Sequence, residues 1–277
     1  MKPKDFSHVE PKPAATVLLA RDGAEGLEVF MVKRHGEIEF ASGAMVFPGG
    51  KVDEGDRDRA LRNACKGAEG LDEGELALRL AALRETFEEC GVLLARRRGK
   101  DSLVGSEDLA RLAPWAGRMH RGEATLGEFV AAENLELALD ELAYFAHWIT
   151  PPLAPKRFDT HFFLVAAPPD QVAVHDGSES VDSVWARPAE TTAEADAGRC
   201  RLVFATRLNL EKLDRSSNVA EAMAAARQAS VVTVRPQLEK FEDGIRTIRI
   251  PEEAGYGGAI FEVTDKPAME VKPIFPR

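Results

Sequence analysis

The stretch Arg84-Glu85-Thr86-Phe87-Glu88-Glu89-Cys90-Gly91-Val92 is the most informative part of this chain. The carboxylates of Glu85, Glu88 and Glu89 are spaced i, i+3 and i+4, which places all three on one face of an α-helix. Like charges so close together repel one another and destabilise a helix unless a cation lies between them. Hard divalent cations such as Mg²⁺ and Mn²⁺ prefer oxygen ligands of this kind. The stretch therefore predicts a helix with a cation-binding face.

Signals at both ends predict that this helix begins near Asp72 and ends at Gly91. Asp72 can cap the first turn, and Glu75 three residues later can complete a capping box. Gly91 is typical of the residue that follows a helix. Apolar residues recur at spacings of three and four and predict a buried stripe on a different side from the carboxylates. They are Leu76, Leu80, Leu83 and Phe87.

Upstream, a short strand over residues 44–47 runs into Phe47-Pro48-Gly49-Gly50, whose glycines permit a tight loop and close approach of the backbone to a ligand. Together, the glycine pair and the acidic stretch resemble the Nudix box, G-x5-E-x7-R-E-U-x-E-E-x-G-U with U aliphatic. The resemblance implies an α/β fold: a Nudix-type α/β/α sandwich with a mixed sheet, here carrying helical insertions.

The box is interrupted. Residues 51–83, 33 in all, separate Gly50 from Arg84, where the standard pattern has 13, so about 20 residues are inserted. Counted back from Arg84, the middle glutamate of the pattern falls on Leu76, which carries no charge. The carboxylate that holds Arg84 is predicted to be Glu75, with Glu73 as the second choice.

The resemblance implies metal-dependent hydrolysis of a diphosphate joined to another moiety, with Mg²⁺ or Mn²⁺ as cofactor. Carried over position by position, Glu88 and Glu89 are the principal metal ligands. Glu85 is a further ligand with a catalytic role, and the backbone carbonyl of Gly49 is the main-chain ligand. Arg84 would orient the carboxylates through charge-assisted hydrogen bonds.

The general base comes in this family from the box or from a later loop. Glu179 precedes the strand that ends at Trp185, and a glutamate followed by tryptophan recurs at such a place in the family. We therefore expect Glu179 to be a metal ligand or base, the alternative being a solvated loop carboxylate.

Further stretches are similar to the peroxisomal CoA-diphosphatase-like subgroup and its bacterial relatives. They lie between residues 12 and 215 and are Phe40–Asp53, Trp148–Pro151 and Arg157–Phe163. The resemblance implies CoA or acyl-CoA as substrate. Such a substrate needs cations for its phosphates and an aromatic face for its adenine. The candidates are Lys33, Arg34, Lys156 and Arg157 for phosphate, and Phe158 and Trp148 for stacking.

Two other functions stay open. One is the same chemistry on an ADP-sugar, NADH or a dinucleotide polyphosphate. The other is a nucleotide-sensing Nudix domain that does not hydrolyse its ligand. The three intact glutamates favour an enzyme, and the sequence shows no basic recognition helix for DNA of the kind that such regulators often carry.

His35, His147 and His161 show no ligand spacing and are interpreted as structural or exposed.

The chain has 277 residues, 44 % hydrophobic and 30 % charged, with a formal net charge of −10. The negative charge argues against nonspecific binding to nucleic acid or to anionic membranes. The three scattered cysteines fit a reduced compartment, and the charged, proline-containing start is unlike a secretory signal, so we expect a cytoplasmic protein.

We expect one Nudix domain over residues 1–277, with helical insertions near 56–70 and 106–140 and a C-terminal extension from about 230. The substrate would be a small nucleotide diphosphate. An alternative role for the helical insertions is a homodimer interface.

A hairpin of strands is predicted over residues 14–32, strands over 144–149, 160–166 and 181–186, and helices over 188–213 and 217–229.

Overall fold

Continuous runs of buried residues form the first hairpin, made of β1 (Lys12–Gly23) and β2 (Gly26–Arg34). The two strands pair antiparallel near their turn, from Ala20↔Val29 to Gly23↔Gly26. Farther from the turn, β3 (Met45–Val46) pairs with β2 and β4 (Gly49–Lys51) pairs with β1. The loop with the glycine pair is therefore built into the sheet between the two strands of the hairpin.

This computed structural model describes residues 5–34, 43–175, 180–264 and 271–273. The other strands are β5 (Cys65–Lys66), β6 (Ala95–Arg97), β7 (Leu135–Ala138), β8 (Ala143–Ile149), β9 (Phe158–Ala166), β10 (Ser180–Ala186), β11 (Thr233–Val234), β12 (Gln237–Glu242), β13 (Ile245–Arg249), β14 (Ile260–Thr264) and β15 (Val271–Pro273). The α-helices are α1 (Glu73–Cys90), α2 (Ser106–Leu112), α3 (Pro114–His120), α4 (Leu126–Ala132), α5 (Pro188–Asp196), α6 (Phe204–Leu213) and α7 (Val219–Gln228).

The main sheet has the strand order β10-β2-β1-β9-β8-β11, with β3 and β4 at its side. The pairs β1–β9 and β8–β11 are parallel and the other pairs are antiparallel. Because successive side chains of a strand point to opposite faces, each face has its own core. Val17 and Leu19 of β1 pack with α1 residues, whereas Leu18 and Ala20 pack with α6 and α7 residues. This is the predicted α/β/α sandwich with a mixed sheet.

The insertion after the glycine loop contains 3₁₀ turns, Gly55–Arg57 and Arg59–Ala64, where a short helix is predicted. In the second insertion, predicted to be helical near residues 106–140, the α-helices end at Ala132. Short helices α2, α3 and α4 are followed by β7, which pairs with β5 and β6 in a small separate sheet. Leu135 and Leu137 of β7 are fully buried and Glu136 between them is half-buried, which is the period-two pattern of a strand.

The helix predicted over residues 188–213 is two helices, α5 and α6, because the chain turns at Gly198, whose φ is +73°. The segment from about 230 forms an antiparallel sheet of order β12-β13-β14-β15. Its Phe261 and Val263 are buried in the core beneath α6 and α7. The C-terminal extension is therefore part of the packed molecule. None of the helices in the described part of the chain has the length and apolar character needed to cross a bilayer.

Candidate active site

Helix α1 carries the acidic stretch, and both of its predicted ends are confirmed. The Asp72 carboxylate accepts from the Glu75 N–H, and the Glu75 side chain accepts from the Asp72 N–H, which completes the capping box. At the other end Gly91 adopts the left-handed conformation with φ 67°. Leu80, Leu83 and Phe87 are buried as predicted. This packing fixes the direction in which the three glutamates project.

Arg84 is the centre of the site. Its Nε and Nη2 donate to the two carboxylate oxygens of Asp56, at 2.9 Å each, and Nη2 also donates to the Lys51 carbonyl. Its Nη1 donates to Glu85 Oε1 at 2.9 Å and lies 3.5 Å from Glu88 Oε1. The Asp56 side chain is fully buried and Arg84 almost so. One guanidinium therefore connects the loop after the glycine pair to the acidic face of α1.

The prediction that Glu75 or Glu73 holds Arg84 is wrong. Glu75 caps α1, and Glu73 forms an exposed ion pair with Arg59. The pattern contained a usable signal: counting forward from Gly50, the position after five intervening residues is Asp56. The inserted residues follow this aspartate, so counting back from Arg84 runs through the insertion and gives the wrong position.

Two of the glutamates are held in an environment that resists their ionisation. The side chains of Glu85 and Glu88 are 12 % and 6 % exposed. Burial raises the pKa of each to about 7, against the opposing effect of the Arg84 charge. Burial alone would lower the pKa of Arg84, but its hydrogen bonds to Asp56 and the glutamate charges outweigh this effect and raise it. The site therefore concentrates carboxyl groups that one arginine does not neutralise.

The glycine pair is needed because the backbone passes very close to its neighbours. The Gly49 N–H donates to Glu89 Oε2 at 2.9 Å. Gly49 has φ +153°, and a Cβ there would lie 2.3 Å from the Ala15 carbonyl oxygen. A Cβ on Gly50 would lie 2.2 Å from Glu85 Oε1. Only glycine lets this strand contact the acidic face of α1 directly.

Helix α3 brings a histidine to the site that the sequence pattern did not indicate. His120 Nδ1 lies 3.9 Å from Glu88 Oε2. The second insertion therefore contributes a side chain beside a predicted metal ligand. No local signal pointed to this residue, since it lies 32 positions after Glu88, where no pattern of the box extends.

These residues fit a hard divalent cation. The donors are carboxylate oxygens gathered beside a backbone loop, which is the ligand chemistry that Mg²⁺ and Mn²⁺ prefer. Arg84 contacts the Oε1 atoms of Glu85 and Glu88, so it orients the pair. Burial of both carboxyls raises their pKa values, and a dication held between them would favour their ionised form.

Comparison with known proteins agrees with this geometry. The model of the NUDT19 Nudix domain matches residues 66–202. A solved NUDIX hydrolase from Alicyclobacillus acidocaldarius superposes with a TM-score of 0.66 at 26 % identity, covering 81 % of this chain and all of the other. The chain belongs to the Nudix hydrolase superfamily.

Curated relatives are also Nudix proteins. A Caenorhabditis elegans protein provisionally named nudix hydrolase 7 is 31 % identical over 192 residues, 69 % of this chain and 56 % of the relative. The human acyl-coenzyme A diphosphatase NUDT19 is 27 % identical over 208 residues, 61 % of this chain and 56 % of the relative. The chain thus spans just over half the length of these two Nudix relatives.

The structure places the predicted substrate residues of this Nudix domain in different surroundings. Lys33 is exposed on β2, and Arg34 ends that strand opposite Ser180. The Arg157 guanidinium donates to the carbonyls of Thr150 and Val9, so it connects the end of β8 to the segment before β1. Phe158 lines a cavity. Glu179, the predicted base, lies outside the described residues.

That cavity, of about 270 Å³, lies on the sheet face opposite α1 and reaches Gly49 of the Nudix loop. Its walls come from the main sheet, the Phe47–Gly49 loop, the first turn of α6 and strand β13. Side chains in these walls include Phe47, Trp148, Phe158, Thr160, Phe162, Phe204, Arg246 and Ile248. The cavity is mostly apolar and aromatic with few polar groups, which is typical of a small-molecule site.

Proposed function

We propose that this chain hydrolyses the diphosphate linkage of CoA or an acyl-CoA, with Mg²⁺ or Mn²⁺ as cofactor. The observation that carries the proposal is the position of Gly49. On one side its N–H donates to Glu89 in the acidic cluster, and on the other side Gly49 lines the aromatic cavity. A substrate bound in the cavity would therefore present its diphosphate at the carboxylates.

The chemistry follows from the charges. A diphosphate is multiply anionic and repels nucleophiles; a divalent cation held by Glu85, Glu88 and Glu89 would offset that charge, polarise a phosphoryl oxygen and lower the pKa of a water. Arg84, anchored by Asp56, keeps Glu85 and Glu88 in one arrangement so that no reorganisation is needed on binding. Glu179 stays the proposed base, taking a proton from the attacking water.

The choice of CoA rests on two supports. The human and Xenopus laevis relatives are named acyl-coenzyme A diphosphatases, at 27 % and 24 % identity. The cavity also offers aromatic faces, the Arg246 cation and the first turn of α6. Val203 precedes α6 and cannot cap it with its side chain, so the positive end of that helix remains suited to a phosphate group.

A hydrolysis screen tests the proposal. The full chain is incubated with Mg²⁺ or Mn²⁺ and with CoA, acetyl-CoA, ADP-ribose, NADH or diadenosine polyphosphates, and products are identified by mass. We expect adenosine 3′,5′-bisphosphate and a phosphopantetheine from CoA, and no products from a Glu88→Gln variant. Cleavage of another substrate alone would overturn the CoA assignment. Tight binding of a nucleotide without turnover of any substrate would instead indicate a sensor.

A further inference from the structure

A second cluster of ligating side chains lies on neighbouring strands β8 and β9. His147 and His161 are directly opposite each other in the ladder, and Asp159 precedes His161 by two positions, on the same face. His147 Nε2 lies 2.5 Å and His161 Nε2 3.6 Å from the same oxygen, Asp159 Oδ1. One ligand atom from each of the three residues lies within 4.8 Å of the others.

A hydroxyl group contacts the Nδ1 atom of each imidazole ring, on the side away from Asp159. The Tyr144 hydroxyl lies 2.8 Å from His161 Nδ1, and the Thr233 hydroxyl lies 2.8 Å from His147 Nδ1. Hydrogen bonds to the second ring nitrogen are what orient histidine ligands in metal sites. Here they direct both Nε2 atoms toward the carboxylate of Asp159.

We propose that His147, Asp159 and His161 form a second metal site, for Zn²⁺. Two imidazole nitrogens with one carboxylate oxygen suit a borderline transition-metal ion, whereas Mg²⁺ prefers oxygen ligands alone. Three protein ligands leave a fourth position for water, and the side chains are 15 %, 34 % and 20 % exposed in chain order, so an ion can enter.

This site is separate from the Nudix carboxylates. Ala15 of β1 pairs with Gly50 on one side and with His161 on the other, so the two sites lie on the same sheet face two strands apart. At the spacing of neighbouring strands that is about 10 Å, too far for one ion to serve both. Since Thr233 belongs to β11, the ion would connect the C-terminal part of the sheet to β8 and β9.

The test measures Zn²⁺ bound to the chelator-treated 277-residue chain in millimolar Mg²⁺. All measurements use the Glu88→Gln, Glu89→Gln double variant as the background protein, so that the Nudix carboxylates do not contribute to the bound Zn²⁺. We expect one tightly bound equivalent by calorimetry and elemental analysis, a higher Tm with Zn²⁺, and visible absorption bands of a four-coordinate site when Co²⁺ replaces Zn²⁺.

Further variants in that background assign the ligands. Asp159→Asn and His161→Gln should weaken Zn²⁺ binding by more than about 100-fold, and Tyr144→Phe by about 10- to 100-fold, because it frees the His161 ring. His8→Gln, at an exposed position, and His120→Gln should leave binding unchanged. Circular dichroism confirms that each variant is folded.

Two outcomes would overturn the proposal. The background protein would retain no Zn²⁺ in the presence of Mg²⁺, or folded Asp159→Asn would bind Zn²⁺ as tightly as the background. In either case the cluster is a hydrogen-bonded polar group between strands and holds no ion.

Discussion

Glu89 joins the acidic face of α1 to the glycine loop, since its Oε2 accepts from the Gly49 N–H. A glutamine at this position can accept the same hydrogen bond but lacks the negative charge that binds a dication. We expect Glu89→Gln to lower kcat by more than about 100-fold at saturating Mg²⁺ while leaving the fold intact. The measurement is steady-state hydrolysis of the substrate found in the screen.

The matched control is Glu73→Gln, at an exposed glutamate on the first turn of the same helix. It should retain the parent rate. If Glu89→Gln also turned over substrate as fast as the parent, Glu89 would not be a metal ligand.

The carboxyls of Glu85 and Glu88 give the metal-free protein a pH-dependent stability. Burial raises both pKa values from 4.5 to about 7 in the folded chain. Between these values the unfolded chain releases protons that the folded chain retains, so the free energy of unfolding falls as pH rises from about 4.5 to about 7. Since one pKa unit corresponds to about 1.4 kcal/mol, we expect a loss of several kcal/mol from these two groups.

Urea unfolding of chelator-treated protein across this pH range measures the effect. Other groups titrate as well, so the relevant quantity is the difference from a Glu85→Gln, Glu88→Gln variant, which lacks both carboxyls. If the free energy of unfolding changed with pH in the same way in the two proteins, neither carboxyl would have a raised pKa in the folded chain.

At the scale of elements, α1 is stabilised in two different ways. Its first turn is capped locally by Asp72 and Glu75, and its middle is fixed by the ion pair from Arg84 to Asp56 in the 3₁₀ turn Gly55–Arg57. The cap acts through hydrogen bonds at the end of one helix. The ion pair joins two residues that are 28 positions apart in the sequence, and so sets the position of the acidic face relative to the 3₁₀ turn.

Two substitutions separate these contributions. Glu75→Ala should cost about 1 kcal/mol of unfolding free energy and leave kcat unchanged, because it removes part of a cap. Asp56→Ala should cost about 3–5 kcal/mol, because Arg84 loses its buried partner, and should also lower kcat. Urea unfolding and steady-state kinetics on the same preparations measure both effects.

Asp56→Asn provides a milder variant in case the alanine variant does not fold, and Glu54→Ala, at an exposed neighbour, is the control. Loss of activity in Glu75→Ala with full activity in Asp56→Asn would contradict the assignment of Asp56 as the partner of Arg84.

The elements show what a sequence pattern can and cannot predict. Helix α1 was predicted to within a residue because its cap, its stripe and Gly91 are local signals. The partner of Arg84 was missed because an insertion separates the two residues and breaks the count. His120 and the pairing of His147 with His161 were missed for the same physical reason. They depend on tertiary contacts and strand register, which spacing along the chain does not encode.

At the scale of the whole molecule, the sheet separates the acidic cluster from the aromatic cavity. The carboxylates lie on the α1 face, and the aromatic cavity lies on the opposite face beneath α6 and β13. The sequence predicts only an extension beyond residue 230, yet Arg246 and Ile248 of β13 form part of the cavity wall. The last strands therefore help to form the cavity proposed to hold the substrate, and Gly49 lies both at the cavity and beside Glu89.

This separation predicts that binding and chemistry can be changed independently. Phe158 lines the cavity on the face away from the carboxylates. Phe158→Ala should therefore raise KM by about tenfold, equivalent to about 1.4 kcal/mol for one lost aromatic contact, with a much smaller change in kcat. Glu89→Gln should instead lower kcat strongly with a much smaller change in KM. Phe241→Ala, at an aromatic residue that is 51 % exposed outside the cavity, is the control. Steady-state kinetics at saturating Mg²⁺ compare the three variants, and an unchanged KM in Phe158→Ala would mean that the substrate binds elsewhere.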